Sequence, residues 1–537
     1  MPLATTIRPP ITMAAATVRP NMLAVLALAS AVLLAPLFLV DIPPLLDYPN
    51  HLARLYLLAT GLNDPVLARM YAAHWAIIPD LAIDATVPWL MRVLPVYVAG
   101  KVMLGGILLL TVAGVLAYSW AVFGGRRWWA LAAVLAAYNV TFMFGFLNFV
   151  LSTGLALLFA AGWITWRDRR PAVVVTLGII ATAILFLSHL AGLAFFLILV
   201  ASAELEHVWR VGRAGRDWVR MFLVRMVAAA PLVVAPLGLY ALSRFSAVAT
   251  PVKWRWSSKL WEAPGILVNY DPALDAVSAT LVFGFVALCL VLRRGIVAPK
   301  SVVAVAMLAL LVVALPFSLM GTHFLDLRPA IMLGLLVFAG FTPWGLSPGL
   351  QRVAITLVVL VFGARMAIIG TVWAGHQAHI EELRAITSRV EPGSRVFILD
   401  IQPGDAPGYW AATRDWRLPM DISLNYHLPA IILIERHAFY PNLFADPAQQ
   451  PLVRLQPFEA LAQEYWRMPR YQALKQDGSL FAGFACRADY VLMMQAGAEP
   501  GLHQFGAGVL ELLEATNLAA LFRVTAPCPA LTSRGTR

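Results

Sequence analysis

Cysteine is scarce, with 3 in 537 residues, which excludes a disulfide-scaffolded fold and a thiolate metal cluster. Charge is scarce too: 13% of residues are Asp, Glu, Lys or Arg and 60% are apolar, far from the roughly 25% and 45–50% of globular proteins. A chain of that balance takes lipid as its solvent. Acids are fewer than bases, 29 against 40, for a net charge of +11. The arginines fall in short loops between apolar runs, where orientation in a bilayer accounts for them, so nucleic acid is set aside as a partner. The chain has no Gly-x-x-x-x-Gly-Lys-Ser/Thr phosphate loop and no His-Glu-x-x-His zinc helix, so nucleotide hydrolysis and zinc proteolysis lack local support.

What is present is a long series of apolar runs. Arg8 and Arg19 precede Met22 to Val40, a run too long for a signal-peptide core and without a small-x-small cleavage site before Asp41-Ile-Pro-Pro. It is expected to remain as the first membrane helix. A helix needs about 20 apolar residues to cross hydrocarbon, and that rule marks about eleven spans, at 22–40, 97–123, 127–144, 147–165, 172–187, 190–204, 222–242, 275–292, 301–320, 329–345 and 352–372. Arg126-Arg127, Arg167/Arg169/Arg170, Arg210/Arg213/Arg216/Arg220, Arg293-Arg294 with Lys300, and Arg352 occupy alternate connections, which puts the N-terminus in the cytoplasm. The loops at 41–96 and 243–274, the turn at 321–327 and everything after Gly375 then lie outside. Compact loops and an ending at Ser533–Arg537 without a retrieval signal point to a bacterial inner membrane.

The expected fold is therefore mostly α: a cytoplasmic tail at 1–21, a polytopic helical membrane bundle over 22–372 and a small extracytoplasmic α/β domain over 373–537. In the first outer loop, Asn50 to Gly61 and Leu81 to Leu94 read as interfacial helices. Beyond Gly375 the composition becomes ordinary. Ile380 to Val390 and Val509 to Thr516 read as helices; Arg395 to Asp400, Ala430 to Ile434 and Ala488 to Met493 read as buried strands. Were Asp489–Met493 and Leu521–Thr525 antiparallel neighbours, Cys486 and Cys528 would fall near one end of the pair, within disulfide reach. Cys289 lies in an apolar run and reads as packing.

Ionisable groups are costly near hydrocarbon, so their placement is informative. The topology gathers Asp41, Asp47, His51, His189, Tyr270, Asp271, Asp275, His323, Asp326 and Arg328 at the outer face, whereas the inner face is expected to carry chiefly arginines. The most suggestive segment is Asp41-Ile-Pro-Pro-Leu-Leu-Asp47-Tyr-Pro-Asn-His51. Asp47 can cap the interfacial helix, with His51 over the same face; it can equally serve as a base towards an acceptor hydroxyl. His189 tops an outer hairpin, as a phosphate ligand, a proton-transfer group or a backbone-bonded residue. Lys253-Trp-Arg255-Trp256 and Asn269-Tyr270-Asp271 suit a headgroup belt and also a glycan. Arg328, after His323-Phe-Leu-Asp326-Leu, is placed to meet a lipid phosphate or to snorkel. Arg365 lies deep in an apolar helix and needs a partner inside the bundle or a ligand. Asn148, at a short turn, is expected to be satisfied internally.

An acidic residue just after the first helix, a first loop that folds back, many spans and a terminal soluble domain on the same side resemble the GT-C superfamily of membrane glycosyltransferases, over roughly residues 20–345. The resemblance implies a catalytic loop acid, and similarity to the protein mannosyltransferases and lipid A aminoarabinose transferases implies a polyprenyl-phosphate-linked sugar as donor. Where those enzymes have an Asp-Glu pair this chain has Asp47-Tyr-Pro-Asn-His. That leaves open the choice between Asp47 and Asp41, and the need for a divalent ion such as Mg²⁺ or Mn²⁺.

The function expected is an inverting transfer of sugar from the polyprenyl-phosphate carrier to a lipid, glycan or protein hydroxyl at the outer leaflet, with Asp47 as base and Arg328 on the departing phosphate. A lipid-linked glycan polymerase or ligase has the same architecture. A transporter or flippase would show related halves and broken helices at the midplane, and a scaffold would use the Asp47 segment only structurally. No internal repeat is evident, and the polar set is skewed to one face.

Overall fold

The computed structural model describes residues 21–215, 217–244, 251–319, 321–402, 404–406, 417–418, 422–477, 481 and 487–525. Helix α1 (Asn21–Leu34) runs into a 3-10 turn, Ala35–Phe38, where Pro36 lacks the N–H that would extend it. The first long loop then folds into α2 (Tyr48–Ala59), strand β1 (Tyr71–Ala73) and α3 (Ala82–Met91). Both helices fall where the apolar stripes put them. Helix α4 (Val96–Phe123) stops at Gly124, whose φ of +65° glycine adopts without strain.

The next apolar run departs from expectation. Its hydropathy predicts a single helix over 127–144; instead Trp128–Ala136 is 3-10 and α5 (Val140–Met143) is one turn. Asn139 makes the break: its carboxamide donates to Ala136 O and accepts from the Thr141 and Phe142 N–H groups, local bonds that compete with a continued helix. Helices α6 (Leu147–Trp166), α7 (Pro171–Ser188) and α8 (Leu190–Arg213) follow and pack in sequence. Contact between α4 and α6 is close enough that a Cβ added to Gly114 would lie 2.5 Å from Gly154 O, the small-residue contact by which membrane helices pack.

Helices α9 (Trp218–Ala229) and α10 (Pro231–Leu242) make one apolar length, followed by α11 (Lys259–Glu262) and α12 (Pro272–Val291). Strand β2 (Gly295–Val297), α13 (Val302–Ala314), β3 (Ser318–Leu319), β4 (Thr322–His323), α14 (Leu327–Ala339), β5 (Phe341–Pro343) and α15 (Pro348–Thr387) complete the bundle. Two more expected spans are shorter than drawn. Helix α13 ends before Pro316, and α14 ends at Gly340, after which β5 pairs antiparallel with β2. Seven helical lengths, α4, α6, α7, α8, α9–α10, α12 and α15, are long and apolar enough to cross a membrane, and four shorter apolar helices occupy the remaining expected positions. The chain is a helical membrane protein. Helix α15 is one continuous rod of 40 residues; the expected domain change at 372–373 falls inside it, and the helix expected over 380–390 is mostly its last turns.

Beyond α15 lie β6 (Val396–Asp400), β7 (Arg417–Leu418), β8 (Ile422–Ser423), β9 (Leu452–Arg454), β10 (Tyr490–Met494), β11 (Leu510–Ala515) and β12 (Ala519–Val524). Four of them form a sheet in the order β11-β12-β10-β6, with β6 parallel to β10 and the other pairings antiparallel. Tyr490 lies opposite Arg523, so the expected pairing of 489–493 with 521–525 is present. Cys486 and Cys528 lie outside the described residues; Cys289 is buried and free.

Two element types are corrected. Ala430 to Ile434, expected as a strand, leads into a helix, Ile431–Arg436, whose apolar residues are buried all round so that no periodicity distinguishes it. Val509 to Thr516, expected as a helix, is β11: its Leu and Glu residues favour helix locally, but pairing with β12 prevails. A small sheet ties the two ends of the chain together. Strand β9 pairs antiparallel with β1, Ala72 opposite Val453, so the first loop and the C-terminal region share backbone hydrogen bonds.

Candidate functional site

The site is built where the chain leaves α1. Leu46 N–H donates to Met143 O and Asp47 N–H to Phe144 O, fixing the start of the first loop on the turn after α5. That turn closes at Gly145, φ +77°, where an added Cβ would lie 2.9 Å from Asp47 N and 3.0 Å from its Cβ. Asp47 then occupies the N-cap position of α2, but its side chain makes no cap hydrogen bond. Pro49, at the second helical position, removes one of the two N–H groups that a cap could receive, and the side chain does not turn to the other, on Asn50. The ordinary use of such an aspartate is absent, and its carboxylate turns towards the cavity instead.

Asp47, His51 and Arg54 recur at helical spacing and line one wall of a cavity of about 230 Å³. Asp80, Phe146, Asn148, Phe149, His189 and Arg328 line the rest, and Phe444, Gln449 and Gln450 of the C-terminal region close over it. Asp47, His51, His189 and Arg328, four residues singled out in the sequence, are thus brought together.

Burial pushes the Asp47 carboxyl up to about 7, the nearby Arg54 guanidinium opposing it. Burial, then the charge of Arg54, holds His51 well below the usual histidine range, so it is neutral; its ring meets the edge of Phe444 at 5.5 Å. Arg54, 2% exposed, grips Asp84 through Nε at 2.8 Å and Nη2 at 3.1 Å. Its buried Nη1 has no hydrogen-bond partner among the described residues. Asp80 stands at φ +64°, a left-handed conformation that aspartate tolerates better than most residues; burial pushes it to about 7 as well, against the pull of Arg328.

Across the cavity, His189 Nδ1 accepts the Ala191 N–H at 2.9 Å. The ring proton is therefore on Nε2, which lies 4.0 Å from Asp80 Oδ1. Arg328 donates from Nη1 to His323 O and Phe324 O at 3.1 and 3.3 Å and lies over the rings of Phe146 and Phe149. Its Nε is buried without a partner among the described residues. Two arginines thus bring unspent donors to one cavity. Asn148 is satisfied as expected, donating to Asp80 O at 2.7 Å and accepting the Ile83 N–H at 3.4 Å.

The remaining candidates lie elsewhere. Asp41 is ion-paired to Arg384 at 2.6 Å on α15, and this bond holds its carboxyl below the usual range. Tyr270 is structural, its hydroxyl donating to Pro44 O and accepting from Trp373 Nε1. Asp271 caps α12 through the Leu274 N–H. Arg365 has its partner inside the bundle, Asp275 at 2.8 Å, with Ser278 at 3.3 Å. Asp326 is buried against Lys259 at 3.0 Å. Arg255 lies over Phe317, which also packs on His323, and Lys253 pairs by its backbone with Ser318. None of these candidates lines the cavity.

Sequence reasoning misses Arg54, Asp80 and the entire C-terminal wall. Arg54 is detectable, since positions 47, 51 and 54 share one helical face. At the opposite end, among its arginines, sequence reasoning also misses a cluster of acids and a histidine. There Glu204, Asp168 and His207 converge on Arg225, with ion pairs of 3.1 Å to Glu204 and 2.5 Å to Asp168, because arginines brought to that end recruit the acids of α8 and the α6–α7 turn. Gly345-Leu-Ser-Pro-Gly349 matches the letters of a serine-hydrolase elbow, but Ser347 is exposed and caps α15 through the Leu350 N–H. Among the described residues no group of three or more His, Cys, Asp or Glu converges to hold a metal ion, so the open expectation of Mg²⁺ or Mn²⁺ finds no ready ligand set there. No family model and no curated protein matches the chain.

Proposed function

We propose that this protein is a membrane glycosyltransferase of the GT-C kind, moving a sugar from a polyprenyl-phosphate carrier to a hydroxyl acceptor, with inversion. The observation that carries the reading is the Asp47 carboxylate: uncapped, largely buried, and raised to about 7 in a cavity that also holds two arginines with donors unpartnered among the described residues. A base poised near the working pH suits abstraction of a hydroxyl proton. In the reaction the acceptor oxygen forms a bond to the anomeric carbon as the bond from that carbon to the phosphate oxygen breaks. The acceptor proton passes to Asp47, and the electron pair leaves with the polyprenyl phosphate. Arg328 Nε and Arg54 Nη1 are the donors for the charge that grows on that phosphate.

On this reading the cavity opens at the outer leaflet, the N-terminus is cytoplasmic, all eleven apolar helices belong to the membrane part, and the region beyond 373 is an extracytoplasmic domain of a bacterial inner-membrane protein. The β1–β9 pairing supports a shared compartment for the first loop and the C-terminal region. The test is to mix purified protein with a panel of polyprenyl-phosphate sugars and generic lipid and glycan acceptors, with and without divalent cation. Carrier-dependent release of polyprenyl phosphate is expected; consumption of none of the donors counts against the reading.

A further inference from the structure

A residue with no part in the reaction as written touches Asp47 most directly. His427, from the C-terminal region, places Nε2 3.6 Å from Asp47 Oδ1, and its side chain is 6% exposed. Which of its nitrogens carries the proton follows from Asn50. Asn50 Oδ1 accepts the Phe444 N–H at 2.8 Å, which fixes the amide orientation. Its two amide protons then go to Asn442 O at 2.7 Å and to His427 Nδ1 at 3.2 Å. A donor at Nδ1 makes that nitrogen the acceptor, so the ring proton sits on Nε2, aimed at Asp47. Tyr440 OH, 3.3 Å from the same Nδ1, has room to donate there as well. Burial keeps the imidazole neutral, at about 3. At 3.6 Å the two atoms face each other a little beyond hydrogen-bond length.

We propose that His427 is a positioning residue for Asp47: a neutral imidazole whose Nε2–H holds one carboxylate oxygen and leaves the other presented to the cavity. The C-terminal region is thereby part of the site. Asn50, one turn from Asp47, serves the same end by clamping residues 442–444, and ring contacts of His427 with Phe444 and Tyr426 at 5.2 and 4.7 Å fix the plane of the imidazole. The other charged or titratable groups near Asp47 are His51 and Arg54 on α2, Tyr426 of the C-terminal region, whose hydroxyl bonds to Asn442, and, around the same cavity, Asp80, His189 and Arg328; His427 is the group whose ring proton is directed at the carboxylate. The consequence for rate rests on the reading of Asp47 as the base, whereas the contact itself does not.

The test uses the full-length protein in lipid nanodiscs and infrared difference spectra across pH, with the Asp47 carboxyl band identified by its loss in Asp47→Asn. His427→Phe keeps a ring against Phe444 but removes the donor. It is expected to raise the Asp47 midpoint by about one pH unit, a tenfold change in proton affinity. His427→Gln, whose amide nitrogen reaches the Nε2 position, is expected to restore the wild-type midpoint. Where Phe is not accommodated, His427→Asn gives the same comparison, since its amide reaches only the Nδ1 position. An unchanged midpoint in the donor-less variant, or Gln behaving as Phe does, overturns the proposal. A parallel assay with the donor panel is expected to show kcat lowered about tenfold to a hundredfold in His427→Phe with the donor KM unchanged. If no donor is consumed by the wild type, the glycosyl-transfer reading fails, and the infrared comparison still decides for or against His427.

Discussion

Arg365 and Asp275 form an ion pair of 2.8 Å within the helical bundle, one member on α15 and the other on the first turn of α12. Removing one partner of such a pair leaves a buried charge uncompensated, at a cost of about 3–5 kcal/mol, while replacing both by apolar groups is close to neutral. Asp275→Leu and Arg365→Met alone are therefore expected to lower the thermal midpoint in detergent markedly, and the double variant to recover most of it. Equal losses from the single and double variants would mean that the pair carries no coupling and that Arg365 serves something else.

The Asp47 carboxyl ties activity to pH in a direction opposite to stability. Its value in the folded protein, about 7, is above the ordinary 3.8. Folding therefore favours the protonated form, and the stability it contributes is fully present below about 3.8 and lost as pH rises through about 7. Turnover needs the ionised form and should rise through the same window. Asp47→Asn is expected to flatten the loss of thermal midpoint between pH 5 and pH 8, leaving the variant more stable than wild type at the upper end. Asp80 is raised in the same direction, but its side chain is 47% exposed and solvent screening shrinks its contribution; Asp80→Asn is the control that separates the two.

Gly145 closes the turn against Asp47 at φ +77°, and a methyl group placed on its Cα would lie 2.9 Å from Asp47 N. Gly145→Ala incurs about 1–2 kcal/mol for the left-handed backbone alone and pushes the start of α2 away. A shift of the base by about 1 Å costs on the order of a hundredfold in rate. Turnover is expected to fall far more than the melting midpoint; a variant with wild-type kinetics would show that Asp47 does not need this seat.

The β1–β9 pairing makes the compartment testable without any substrate. In a chain whose 3 cysteines are replaced by serine, Ala72→Cys with Val453→Cys should cross-link on mild oxidation, since directly opposed strand residues are within disulfide reach. Ala68→Cys and Gln463→Cys, both exposed, should be labelled by a membrane-impermeant maleimide from the same side of sealed cells. Labelling from opposite sides would separate the Asp47 loop from its C-terminal wall and remove the site.

The sequence is most legible where a residue's environment is set locally. Apolar runs mark the helices, loop stripes mark α2 and α3, and the cost of charge near lipid singles out Asp47, His51, His189 and Arg328. It is least legible where a distant partner decides. Arg54 shares a helical face with Asp47 and His51, but its partner Asp84 lies 30 residues on in another helix, and the left-handed turn at Asp80 follows no signal stronger than the preceding proline. His427, Asn442 and Phe444 carry no local motif; they reach the site through Asn50 and the pairing of β9 with β1. For the same reason β11 defeats its own helix propensity, and Asn139 breaks a run whose hydropathy alone promises a full span.

The role of Asp47 as the base is tested most directly by the turnover of Asp47→Asn, an isosteric change that removes the base and keeps the shape of the cavity. With a donor identified from the polyprenyl-phosphate panel, the purified variant is expected to lose about 10²–10⁴-fold in kcat while its donor affinity, elution profile and melting midpoint at pH 5 stay close to wild type. Sugar transfer by Asp47→Asn at the wild-type rate would contradict it.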